Sequence, residues 1–166
     1  ERGQMGKAIE CYELYKKYFE ELYYVNTQSV ELNENLVLAY GKLGDLYTWL
    51  KLHEEALKYY EESFRLINDI LLNNSEIVSI KITFINLNLK LGKFYQDRGQ
   101  RDKAVNYFEF SFNFAKQLYE ANSLNVNIKM SFADSNSILG SFHKESGNWD
   151  EALKYFDSAL ELMKEI

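Results

Sequence analysis

The sequence predicts an all-α chain, a right-handed α-solenoid of antiparallel helix pairs with about seven long helices. Three observations carry the prediction. A unit recurs, clearest as GNWDEALKYFDSAL at 147–160, and the alanines of its four copies, Ala8, Ala56, Ala104 and Ala152, stand 48 residues apart throughout. A fixed step of this size is the signature of stacked supersecondary units. Apolar residues also return at helical intervals within each unit. Finally, Pro is absent from all 166 residues, so nothing removes a backbone donor from a long helix.

The first helix is expected at about 5–25, with Ile9, Tyr12, Phe19 and Leu22 on one side. It ends at Asn26-Thr27, a pair that returns as Asn74-Ser75 and Asn122-Ser123. Asn tolerates the left-handed conformation that closes a helix, and Ser or Thr caps the next one, so each pair is expected to be a tight reversal. The second helix, at about 28–50, carries Leu36, Tyr40, Leu43, Leu46 and Tyr47 on one side. Beside that stripe lies Gly44, matched by Gly92 and Gly140, where a missing side chain lets a neighbouring helix come close. A turn at 51–53 follows, equivalent to those at Gly99 and Gly147. Lys51 stands in place of the glycine, so this turn is expected to be built differently. The pattern restarts at Glu55, and further helices follow at about 76–98, 102–121, 124–146 and 149–166.

The ends carry an expectation of their own. Glu1-Arg2-Gly3 aligns with the intra-unit turns at Asp97-Arg98-Gly99 and Glu145-Ser146-Gly147, and the chain has no initial Met. It is therefore expected to be a piece of a longer protein. Its single repeat domain, 1–166, divides into units at about 1–26, 27–74, 75–122 and 123–166.

These residues resemble the tetratricopeptide repeat. Leu43, Gly44, Tyr47, Ala56, Tyr60 and Ser63 follow its pattern, as do Leu91, Gly92, Tyr95, Gly99, Ala104, Phe108 and Ser111. Leu139, Gly140, Gly147, Ala152, Phe156 and Ala159 follow it again. The resemblance covers essentially the whole chain and departs in period, 48 residues against about 34 in the family. The excess is close to two additional turns on each helix, a long form similar to the repeats of large signalling and effector proteins. Two positions break the pattern. Tyr15 occupies the place of the small residues Ser63, Ser111 and Ala159, so the first copy is expected to pack loosely or at an edge. His143 replaces Tyr47 and Tyr95, which predicts the loss of an aromatic contact.

Catalytic chemistry is not expected, and neither is a cofactor or a bound metal. His53 and His143 are the only imidazoles and sit in different units. Cys11 lies in another, and no cluster has metal-ligand spacing, a nucleophile with its base, or a phosphate-binding glycine loop. Cys11 is expected to be a semi-buried small hydrophobe. Trp149, Ala152, Tyr155 and Phe156 are expected to hold the last helix against its neighbours. The formal charge of −6 argues against nucleic acid, whose binding rests on Lys and Arg. Arg98, Arg101 and Lys103 form a local basic spot, read as the solvated tip of a turn. No apolar run approaches the roughly 20 residues that span a bilayer, and one cysteine points to a reducing, cytoplasmic setting.

The resemblance implies a protein-binding module whose partner lies in a concave groove lined by the first helix of each pair. Advancing about 100° per residue from Gly44 puts Leu38, Gly41, Asp45 and Trp49 opposite the packing stripe. Their counterparts are Asn86, Leu89, Lys93 and Asp97, then Asp134, Ser137, Ser141 and Glu145, with Glu34, Ile82 and Met130 one turn earlier. Four acids against one base on the twelve main positions make the stripe acidic. The expected partner is a basic, partly apolar protein segment, with no membrane and no nucleic acid. The alternative is that these charges only solvate the inner face. The rival functions are a spacer or self-association module acting through exposed end helices, and, further off, a nucleic-acid-binding helical repeat.

Overall fold

The computed structural model describes residues 2–26 and 29–166. Glu1, the expected cap at Thr27 and the expected helix start at Gln28 lie outside the described residues. Seven helices occupy the rest: α1 (Arg2–Val25), α2 (Val30–Trp49), α3 (His53–Asn73), α4 (Val78–Asp97), α5 (Arg101–Ala121), α6 (Val126–Glu145) and α7 (Trp149–Lys164). The repeat is plain in their starting points. Val30, Val78 and Val126 open α2, α4 and α6 at intervals of 48 residues, and α3, α5 and α7 keep the same interval. Helices of 20 or 21 residues are about 30 Å long. At the front of the chain, α1 begins at Arg2, so Arg2 and Gly3 are helical and not part of a turn.

The chain divides into two compact units, Glu1–Leu87 and Asn88–Ile166, with the division inside α4. In the first, Leu36, Val37, Leu43, Ala56, Tyr60, Leu66, Ile67 and Ile80 form the core. Tyr60 of α3 lies where Gly44 of α2 leaves room, since a Cβ on Gly44 would stand 2.6 Å from the ring. Ser63 completes the contact: fully buried, it donates from Oγ to the Val37 carbonyl at 2.8 Å. The second unit repeats the device. Gly92 faces Phe108, Gly140 faces Phe156, and Leu91, Ala104, Ser111, Leu139, Ala152 and Ala159 fill the same registers.

The turn at Lys51 is not built differently. Lys51 adopts φ 62°, beside 72° at Gly99 and 78° at Gly147. The hydrogen bonds are the same in all three: Leu52 N–H to Tyr47 O at 3.0 Å, Gln100 to Tyr95 and Asn148 to His143 at 2.9 Å, and Lys51 to Thr48, Gly99 to Gln96 and Gly147 to Lys144 one step inside. This paired pattern is a Schellman closure, which needs a left-handed residue at its centre. The closure overrides the side chain's preference and holds Lys51 in a conformation costing about 1–2 kcal/mol. Lys51→Gly is therefore expected to raise the unfolding free energy by about 1 kcal/mol, read as a higher urea midpoint at constant slope.

The other reversals correct the expected chemistry. Asn74 and Asn122 have φ −139° and −151°, negative and so not left-handed. Their carbonyls accept from Ile77 and Asn125 N–H at 3.2 and 3.4 Å, and Asn26 does the same for Ser29. The N-caps fall later than Ser75 and Ser123. Ser29 Oγ accepts from Leu32 N–H, and Asn125 Oδ1 accepts from Asn127 and Ile128 N–H. The turns closed by the Asn74 and Asn122 carbonyls use up the residues in between, which moves the start of the next helix two positions on.

Two aromatic expectations also change. Tyr47 stacks on Tyr59 with centroids 5.2 Å apart, and Tyr95 on Tyr107 at 5.5 Å; His143 stacks on Tyr155 at 5.4 Å and 11° between planes. The imidazole is flat enough to keep the contact, so no aromatic pair is lost. Trp149, in contrast, is 64% exposed, and Ala152, Tyr155 and Phe156 hold α7 without it. Tyr15 is partly exposed at an edge, its hydroxyl donating to Asn35 Oδ1 at 3.0 Å. Cys11 is exposed and not semi-buried, because it lies on the side of α1 that the other described helices leave uncovered.

Candidate functional site

In a helix hairpin the residues free to meet a partner are those that packing does not use. On α2 these are Leu38 and Trp49, 47% and 52% exposed, joined by Lys42 and by half-exposed Asp45. Gly41 does not belong with them. It is buried, and a Cβ there would stand 3.8 Å from Ser63 Oγ. The helical wheel held the signal: relative to Leu38, Lys42 is about 40° away and Gly41 about 60°. Lys42, missed by the sequence reading, takes its place. Asp45 accepts a hydrogen bond from the Tyr60 hydroxyl at 2.9 Å, which ties it to the packing of α3. One turn earlier, Glu34 receives Ser79 Oγ at 3.1 Å and Thr83 Oγ1 at 2.8 Å, both from α4. That carboxylate fastens two first helices side by side. Further along α4, Ile82 is half-buried and Asn86 exposed.

In the unit 88–166 the same register gives Lys93 and Asp97 on α4, and Met130, Asp134, Ser141 and Glu145 on α6, all exposed. Leu89 is not among them. At 7% exposure it is a core residue, set inward by the same offset that buries Gly41. Ser137, in that register on α6, is half-buried. Lys93 and Asp97 neutralise each other across one helical turn at 3.0 Å. Glu145 accepts from Gln96 Nε2 at 2.6 Å. Ser141 donates its hydroxyl back to the Ser137 carbonyl. Asp134 has no ion-pair partner among the described residues, and partial desolvation raises its carboxyl above the ordinary range. Three carboxylates against one lysine leave this stripe acidic, while Lys42 weakens the same tendency on α2.

The basic spot has a packing role. The Arg101 guanidinium lies 4.8 Å from the Phe142 ring centroid and donates to Ser146 Oγ; Arg98 covers Phe94 at 5.5 Å, and Lys103 covers Tyr95 at 5.0 Å. Cations held on aromatic faces stabilise the turn they flank. Among the described residues no group of three or more His, Cys, Asp or Glu side chains has the arrangement to hold a metal ion, and no helix is long and apolar enough to cross a membrane.

The comparisons agree with this geometry. Models described as "Tetratricopeptide repeat" match residues 37–70, which hold most of α2 and α3, and residues 137–165, which hold the end of α6 and α7. No curated protein sequence matches. Among solved structures the chain is similar to BtubC (BKLC) from P. vanneervenii, with 20% identity and a TM-score of 0.69 over 98% of this chain. The chain spans 58% of the length of that protein. It also matches TTC0263, a thermophilic TPR protein of Thermus thermophilus, at 16% identity, covering 96% of this chain and 87% of that one with a TM-score of 0.47. MamA matches at 20% identity, covering 99% and 91%, with a TM-score of 0.39. BtubC shares the fold. Both matched segments fall on hairpins that carry the glycine–aromatic contact, so residues 37–70 and 137–165 are tetratricopeptide repeats, the units of a protein–protein interaction scaffold.

Proposed function

We propose that the exposed first-helix faces, that of α2 in the first unit and those of α6 and the end of α4 in the second, each bind a basic and partly apolar protein segment. One observation carries the reading. Leu38, Trp49 and Met130 remain exposed on faces whose other positions are polar, with Asp45 beside the first two and Asp134 beside the third. Large apolar side chains left in water beside acidic groups suit a segment with apolar anchors and lysine or arginine between them. Such a segment would make this chain the sensing or regulatory part of a larger signalling or effector protein. An exposed Cys11 thiol fits a reducing, cytoplasmic setting.

Trp49 provides the test. In a Trp149→Phe background it is the only tryptophan, half-exposed on the proposed face. A peptide selected on this protein from a random library is expected to carry lysine or arginine with apolar residues, and to shift Trp49 emission to shorter wavelength on binding. Selected peptides that bind and leave the emission unchanged would count against the reading.

A second reading is favoured by Leu14, Tyr18 and Val25 on α1 and by Leu153, Leu160 and Met163 on α7, all exposed. Apolar faces of this kind promote association, and self-association would appear as a mass that rises with concentration in sedimentation.

A further inference from the structure

The repeat lets one part of the chain explain another. Position 33 of the first full unit corresponds to 81 and 129, which hold Lys81 and Lys129, whereas the first copy has Asn33. In the unit 88–166, Lys129 is 8% exposed and its ammonium has two acceptors. Nζ lies 3.2 Å from Glu165 Oε2 and donates to the Glu165 carbonyl at 3.2 Å. The Tyr119 hydroxyl donates to the same carboxylate at 3.4 Å. A lysine thus closes the space between the start of α6, the end of α5 and the end of α7.

Two periods earlier, Tyr23 stands for Tyr119, Asp69 for Glu165 and Asn33 for Lys129. The acceptor and the phenol are kept, and the lysine between them is missing; the cation nearest Asp69 is Arg65 of the same helix. In its place is a cleft of about 440 Å³ among α1, α2 and α3, with Leu66 and Ile70 on its wall, buried Asn33 in it, and Asp69 and Asn73 at its edge. This volume falls in the range of ligand sites, roughly 300–1,000 Å³. Asp69 is only loosely held. Arg65 Nη1 is 3.6 Å from it, while the same guanidinium binds Glu62 at 3.0 and 3.2 Å.

We propose that this cleft binds a primary alkylammonium group, such as the end of a lysine side chain, in the place that Lys129 fills from within its own unit. The alkyl stem lies along Leu66 and Ile70, as lysine stems lie on apolar surfaces. The ammonium donates to the Asp69 carboxylate and the Asn33 amide oxygen. This site stands apart from the first-helix faces, so it survives or fails independently of the function proposed above.

The test is a titration of the isotopically labelled chain with n-butylammonium chloride at low salt, followed by amide NMR. Saturable shifts are expected at the Asn33 side-chain amide and at Ile70, and 1-butanol at equal concentration is expected to give none. Asn33→Lys supplies the cation internally and should abolish the response while raising the melting temperature. Asp69→Asn, at an exposed carboxylate that should not affect folding, should weaken binding at least fivefold. Comparison of acetyl-lysine methylamide with spermidine then assigns the source: tighter binding of the first supports a protein-borne lysine, and the reverse supports a free polyamine. Absence of saturable shifts, an equal response to butanol, or unchanged affinity in Asp69→Asn or in folded Asn33→Lys would overturn the proposal.

Discussion

Gly92→Ala is expected to lower the unfolding free energy by about 2–3 kcal/mol, the upper part of the range for overpacking a close contact. The added Cβ falls within van der Waals overlap of Phe108 Cε1 and Cδ1. Phe108 cannot give way. It is completely buried and meets Phe142 edge-on with centroids 5.6 Å apart. The Cβ on Gly140 would lie 2.7 Å from Phe156, which is only half-buried, so Gly140→Ala should cost less. The pair also predicts coupling. Phe108→Leu removes ring atoms that the new methyl meets, so it should harm Gly92→Ala less than it harms the parent chain. A double-mutant cycle by urea unfolding reads this directly. Additive losses would show that the glycine is not there for the ring.

This contact also shows why the fold was so open to sequence reading. Gly92 and Phe108 are 16 residues apart, as are Gly44 with Tyr60 and Gly140 with Phe156. Each pair records one closure of a hairpin in residues that tolerate little change. Periodicity then fixes the helices, because the same spacing is written three times and chance cannot maintain it. The turns were less legible. Lys51 was expected to alter a turn that it in fact adopts, because hydrogen bonds on either side determine the backbone there and the side chain only tolerates the result. The Asn pairs erred the other way: a plausible capping residue was present, and the carbonyl ahead of the true cap performs the closing step.

The candidate site was legible as a stripe and blurred at its edges. Leu38, Trp49, Asn86, Lys93, Asp97, Met130, Asp134, Ser141 and Glu145 are exposed. Gly41 and Leu89 share a register about 60° from the centre of the stripe, where a hairpin partner already covers the surface. Charge was harder still. A sequence counts Asp45 and Asp97 as acids, but Tyr60 engages one and Lys93 neutralises the other. Pairing of this kind depends on side-chain reach and is invisible to a count of residue types.

Those pairings decide which substitutions test the binding face. Changing Asp45 would disturb Tyr60, and changing Asp97 would break its ion pair, so either effect could be structural. Asp134 and Glu145 are exposed on α6; Asp134 has no ion-pair partner among the described residues, and Glu145 meets only the neutral Gln96 amide at the surface, where water can replace it. Reversing both changes the local charge by four while the helix keeps its packing residues. A basic segment held along this face loses attraction and gains repulsion, in both encounter rate and residence. The measurement is the affinity of the selected basic peptide for Asp134→Lys/Glu145→Lys against the parent chain, at low and at high salt. We predict at least a tenfold loss, about 1.4 kcal/mol, at low salt, shrinking as salt screens the charges. Equal affinity of the two proteins at low salt would contradict the acidic binding face.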